Sequence, residues 1–154
     1  MGFRDFIEAL RTSGRLTSVM KTVSKDLEAA AVLNALDERP VLFDAVAGSV
    51  FKVVGNLFGT KQQFADYFGI EPHELIPKIV RAIENPTKPE EVELAPCQEV
   101  VEQEVDLDRL PILFNCKEDG GNYVTSGVFI TKSGAGIQNV DFHRAMQIGK
   151  DRFS

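Results

Sequence analysis

A chain of 154 residues, 44% hydrophobic and 26% charged, is long enough to bury a core and too apolar to remain disordered. Its net charge of -6, with 17 Lys and Arg residues scattered along the chain, argues against a nucleic-acid or anionic-membrane binder. No apolar run nears the ~18 residues of a membrane span, and MGFRDFIEAL carries charge inside its apolar pattern, unlike a signal peptide, so a cytoplasmic protein is expected.

The first element expected is a helix with Phe3, Phe6, Ile7 and Leu10 on one stripe and Gly14 closing it. A second helix is expected after Ser24, with Asp26 and Glu28 near its positive end and Pro40 beyond it. Residues 41–43 (VLF) and 50–58 (VFKVVGNLF) read as strands, because β-branched and aromatic residues cluster between Gly and Pro. Thr60 and Gln63 have capping-box spacing before FADYF. Leu75, Ile76, Ile79, Val80 and Ile83 then repeat at helical spacing, with Pro77 in the first turn.

Three prolines and four glutamates mark residues 84–96 as a linker, and the domain boundary is placed at 95. Residues 1–95 read as a complete α/β domain. Residues 96–154 are expected to supply three or four strands, two of them named, 123–132 and 138–148, joined by SGAG at 133–136 as a hairpin turn. That is little for an independently stable sheet domain and reads as the start of a larger one. The fold class is therefore α/β (α+β). Cys97 and Cys116 lack the spacing of a zinc pair and are expected as buried or half-buried thiols.

Chemistry concentrates in the last strand. Alternation puts Val140, Phe142, Met146 and Ile148 on one face and Asn139, Asp141, His143 and Gln147 on the other. Arg144 falls on the apolar side. A charge there snorkels at a sheet edge, pairs with a carboxylate, or meets a bound phosphate or carboxylate in two-point fashion; a bulge that turns it to the Asn139 face is a further option. The Asn139, Asp141, His143 row offers metal-ligand atoms, but a solvated strand face looks the same. His73 reads as a surface residue, and Asp106 and Asp108 as loop residues. No phosphate-binding glycine loop and no nucleophile elbow is present; GNLFGT at 55–60 matches neither pattern.

Taken together, FRDFIEALRTSGRLTSV, GNLFGT, VDLDRLPIL at 105–113, YVTSGVFIT and QNVDFHRAMQIGKDR resemble, in order and spacing, the N-terminal portion of the UbiD family of prenylated-FMN-dependent decarboxylases. The resemblance implies that residues 96–154 begin a split β-barrel flavin-binding domain, truncated here. It implies a carboxy-lyase acting reversibly and without oxidation on an aromatic or α,β-unsaturated acid. Asn139 would be a metal ligand, with Mn2+ or Mg2+ and K+ as the ions. Arg144 would be catalytic, near the flavin and holding the substrate carboxylate, while Thr125, Asp141, Phe142, His143 and Arg144 would contact the cofactor. Many relatives have Gly or Ser in place of Asp141 and Tyr or Ala in place of His143. The remaining ligands, the catalytic Glu residues and the oligomerisation region have no counterpart in these residues. A chain inactive alone is therefore expected, completed by the remainder of the enzyme or a second subunit, and a homo-oligomer when complete. Two other readings stand beside it: a non-catalytic α/β interaction module or split-enzyme subunit, and a small FMN-binding protein.

Overall fold

The computed structural model describes residues 1–154. The chain forms two compact units, each gathered from separate stretches. One comprises Met1–Thr17, Asp37–Pro40 and Asn56–Glu104; the other comprises Ser18–Leu36, Val41–Gly55 and Val105–Ser154. No helix is long and apolar enough to cross a membrane.

In the first unit, helix α1 (Phe3–Thr12) buries Phe6 and Leu10 of its predicted stripe, with Ile7 half-buried and Phe3 exposed, and Gly14 follows it at φ 71°. Phe6 stacks on Phe58 with centroids 5.8 Å apart and meets the edge of Tyr67 at 5.3 Å. In a sequence without Trp, this cluster supplies the large aromatic contacts of the unit. Helix α3 (Lys61–Phe68) opens with the expected capping box: the Gln63 N–H donates to Thr60 Oγ1 at 3.2 Å, and the Thr60 N–H donates to Gln63 Oε1 at 2.8 Å. Gln63 is buried, and its Nε2 donates to the Glu38 carbonyl at 2.7 Å. A 3-10 turn, Pro72–Glu74, leads into helix α4 (Leu75–Glu84). Pro77 lies in the first turn of α4, where no intrahelical donor is lost. The predicted apolar stripe of α4 exists, but Ile76, Ile79, Val80 and Ile83 are exposed and only Leu75 is buried. Residues 84–96 carry no helix or strand beyond the edges of their neighbours, in keeping with their proline content.

The second unit holds a three-stranded sheet ordered β1 (Thr17–Val19), β2 (Val41–Phe43), β3 (Val53–Gly55), with β2 and β3 antiparallel. β1 is too short to leave a periodic signal in the sequence. The strand expected over 50–58 contracts to three residues: Val50 and Phe51 are exposed, and Asn56 turns the chain at φ 56°. Helix α2 (Glu28–Leu36) begins later than expected. Leu27 sits at φ 66° ahead of it, and the Glu28 carboxylate reaches back to the Ser24 N–H at 2.7 Å.

Val23, Ala29, Val41, Phe43 and Val46 form the core of this unit, with Val19, Val32, Leu33, Leu36, Val53 and Leu113 packed against it. Gly55 permits the approach of α2, since a Cβ there would lie 2.2 Å from Leu33 Cδ2. Residues after the linker join this core directly: the Leu27 N–H donates to the Phe114 carbonyl at 2.9 Å and the Phe114 N–H to the Lys25 carbonyl at 3.0 Å. Strands β4 (Tyr123–Lys132) and β5 (Gln138–Met146) form the expected hairpin. Its turn is closed by Ser133 N–H to the Ile137 carbonyl at 2.8 Å and Gly136 N–H to the Ser133 carbonyl at 2.9 Å. Both cysteines are exposed, contrary to expectation. Cys97 lies in the short 3-10 turn Pro96–Gln98, and Cys116 lies in a tight turn whose N–H is taken by Asp119 Oδ2 at 3.1 Å.

Candidate functional site

The hairpin register determines what surrounds Arg144. Val124 pairs with Ala145 and Gly127 with His143, so Thr125 and Ser126 together oppose Arg144. Two residues against one is a β-bulge, which bends and twists a strand locally. The irregularity lies in β4, so Arg144 stays on the Val140, Phe142 and Met146 face and is not turned to the Asn139 face. Tyr123 opposes Met146, Val128 opposes Phe142 and Ile130 opposes Val140 on this same face.

This face is open. Phe142 is 76% exposed and Val140 57% exposed. Arg144 is exposed and forms neither a hydrogen bond nor an ion pair within the chain. It lines a cleft of about 390 Å³ together with Glu118, Asp119, Gly120, Tyr123 and Thr125. Both acidic residues are already engaged by Cys116: Glu118 Oε2 accepts from Sγ at 2.6 Å, and Asp119 Oδ2 accepts from the backbone N–H. The Cys116 thiol is the main reason the Glu118 carboxyl sits below the usual range. The arginine therefore keeps its full set of donors for something outside the chain. Sequence reasoning missed the 118–120 loop, whose only signal was the turn composition EDGG; the chemistry comes from the fold bringing it to Arg144.

On the opposite face, Asn139, Asp141 and His143 are linked in a row. Asn139 Nδ2 donates to Asp141 Oδ2 at 3.1 Å, and His143 Nε2 lies 3.2 Å from Asp141 Oδ1. The His143 ring meets Phe129 edge-on at 5.3 Å. The side chain of Asp141 is thus held by its own strand neighbours. Asn139 Oδ1 accepts nothing within the chain, which suits a hard divalent cation as one oxygen ligand among about six. No cluster of three His, Cys, Asp or Glu side chains is placed to complete such a site. An exposed Phe ring and an unpaired guanidinium on one strand fit a flat apolar group that carries an anion.

The other residues weighed from sequence have structural surroundings. Asp106 Oδ1 accepts from the Asp108 N–H at 3.1 Å, capping a 3-10 turn, and Asp108 Oδ1 accepts from Gln147 Nε2 at 2.8 Å. Ser133 Oγ accepts from the Ile137 N–H at 3.1 Å in the hairpin turn. His73 is exposed.

Residues 7–83 match the family described as 3-octaprenyl-4-hydroxybenzoate carboxy-lyase N-terminal domain, and residues 90–154 match its Rift-related domain. Both matches are to parts of carboxy-lyases. The chain belongs to the UbiD family. It is 37% identical across its whole length to the anhydromevalonate phosphate decarboxylase of Methanosarcina mazei, of which it covers 35%. Among solved structures, it superposes with TM-score 0.90 and 31% identity on an evolved dimeric form of HmfF from Pelotomaculum thermopropionicum in complex with prenylated FMN. That match covers 97% of this chain and 36% of HmfF. The vanillic acid decarboxylase of Sedimentibacter hydroxybenzoicus superposes with TM-score 0.84 at 26% identity, over 97% of this chain and 35% of that one. The chain spans about a third of the length of these relatives.

Proposed function

We propose that these residues are the N-terminal segment of a decarboxylase that removes CO2, reversibly and without oxidation, from an α,β-unsaturated or aromatic acid with prenylated FMN. The observation that carries this is the unpaired Arg144 guanidinium in its cleft, on the exposed Phe142 face and five residues after Asn139. Arg144 binds the substrate carboxylate through parallel N–H donors, which fixes the bond to be broken. Asn139 Oδ1 would serve as one oxygen ligand of a divalent ion, Mn2+ or Mg2+, whose charge would offset that of the cofactor phosphate, with K+ as a further ion. Thr125 and Phe142 would contact the cofactor from the Arg144 side, while Asp141 and His143, on the opposite face, would contribute beside Asn139, Asp141 by holding Asn139 and His143 in place. The bound cofactor supplies the electron sink that a protein side chain lacks.

The two carboxyls in the Arg144 cleft, Glu118 and Asp119, both accept hydrogen bonds from Cys116, and that bond holds Glu118 below the usual carboxyl range, so neither is a ready source of the proton that replaces CO2. Arg144 itself does not donate it, because guanidinium pKa values exceed ~12. The 154 residues alone are therefore inactive, and a complete enzyme, with the remainder in the same chain or a second subunit, is required. The unsaturated acid comes first for testing, because two curated relatives are named anhydromevalonate phosphate decarboxylase.

The test is complementation. Residues 1–154 are co-expressed with the remaining two-thirds of the Methanosarcina mazei relative, loaded with prenylated FMN and assayed on anhydromevalonate phosphate. Activity should appear only in the mixture and fall by about 10³-fold or more in Arg144→Ala, with unchanged circular dichroism. Undiminished turnover by Arg144→Ala would remove this residue from the mechanism.

A further inference from the structure

Resting on the reading of Arg144 just given, we infer that the Thr125–Ser126 bulge, closed by Gly127, aims Arg144 into its cleft, so that these are positioning residues for carboxylate binding. The two-for-one pairing opposite Arg144 is the one register shift in a ladder that is otherwise regular from Tyr123–Met146 to Lys132–Gln138. A bulge increases local twist and redirects the side chain across from it. Val140 and Phe142 share the face of Arg144 yet do not line the cleft, whereas Thr125 of the bulge and Tyr123 beyond it do. The cleft therefore begins at the bulge.

Gly127 fixes where the bulge ends. A Cβ at this position would lie 2.9 Å from Phe129 Cε2 and 3.3 Å from the His143 carbonyl oxygen. A side chain would displace the Phe129 ring and crowd the His143 carbonyl by a few tenths of an ångström, so the bare backbone of Gly127 favours regular pairing resuming at this residue. The same strand geometry delivers Arg144 to a cleft whose two carboxylates are already tied to Cys116. An incoming carboxylate therefore meets an arginine that has not been claimed by its neighbours.

The experiment uses the 154-residue chain and benzoate as the probe. Modification of Arg144 by phenylglyoxal is followed by mass spectrometry, with and without benzoate. The chains compared are the wild type, single deletions of Ser126 and of Thr125, and Ser126→Gly. Each deletion leaves one residue opposite Arg144 while Val124 can still oppose Ala145 and Gly127 oppose His143. Ser126→Gly keeps two residues against one. Cross-strand NMR contacts between residues 128 and 142 report whether the hairpin is intact.

Benzoate at ~4 times its Kd should slow modification ~5-fold in the wild type, by simple occupancy. The same protection is expected in Ser126→Gly, and none in either deletion, with the 128–142 contact retained throughout. Equal protection in the deletions would overturn the aiming role. Loss of the 128–142 contact in both deletions would also overturn it, because the bulge would then hold the hairpin together and not direct Arg144. Absence of protection in the wild type would instead sink the carboxylate-binding role of Arg144 itself.

Discussion

At the residue scale, two arginines show how differently one side chain can be used. Arg15 is spent: NH1 pairs with Asp66, which also accepts from Gln62 Nε2 at 2.8 Å. The Arg15 hydrogen bond, followed by the Gln62 bond, holds the Asp66 carboxyl below its usual range. A carboxyl whose folded value is lowered contributes stability above its unfolded value and loses it as pH falls through the folded one. Arg15→Ala should therefore cost about 1 kcal/mol at pH 7, modest because the arginine is half exposed. The deficit should shrink below about pH 4, where unfolded Asp protonates. Urea melts of both chains at pH 7 and pH 3 check this; a deficit equal at both pH values would assign the effect to packing. Arg144, by contrast, is unspent. It was legible as an anomaly because a single charge interrupts an apolar alternation, and that contrast survives without coordinates. The Glu118, Asp119 and Cys116 set was not legible, because a loop has no periodicity to violate and its partners lie outside the strand that made Arg144 conspicuous.

Among the elements, those with chemical punctuation at their ends were read best. The Thr60 and Gln63 box and Ser133 of the SGAG turn accept from local backbone donors, and Gly14 after α1 takes a left-handed conformation that few other residues adopt. Elements defined by tertiary pairing were read worst. β1 has three residues, β3 is shorter than its apolar run, and α2 starts at Glu28 because Leu27 adopts a left-handed conformation to reach Phe114. The bulge in β4 is of the same kind: Gly127 inside YVTSGVFITK is the one local mark of it, and which two residues oppose one is settled only by the pairing. Strand pairing also predicts unequal protection. β2 is buried at every residue, whereas most of β4 and β5 is exposed. Amides of residues 41–43 should exchange at least ~100-fold more slowly than those of 128–132 and 138–142. Comparable rates in a monomer would mean the hairpin is far better supported than its exposed faces indicate.

For the whole molecule, the two family matches meet between residues 83 and 90, while the compact units interleave across that seam. The unit containing α2, β2 and β3 closes with Leu113, Phe114 and the hairpin that follows. Fragment 1–88 should keep the Phe6, Phe58 and Tyr67 cluster but lose the second unit's core, 89–154 should be largely unfolded, and their 1:1 mixture should recover the near-ultraviolet spectrum of the intact chain. Native-like tertiary spectra from 1–88 alone would show that the later residues are dispensable to this core. The interleaving also has a consequence in time. On the ribosome, Phe43 emerges about 70 residues before Phe114, a wait of roughly 4–14 s at ordinary elongation rates. Through that interval the apolar side of α2 has no Leu113 to cover it. This protein is thus most exposed to capture by chaperones, or by another nascent copy of itself, before Arg144 and its strand have been synthesised at all.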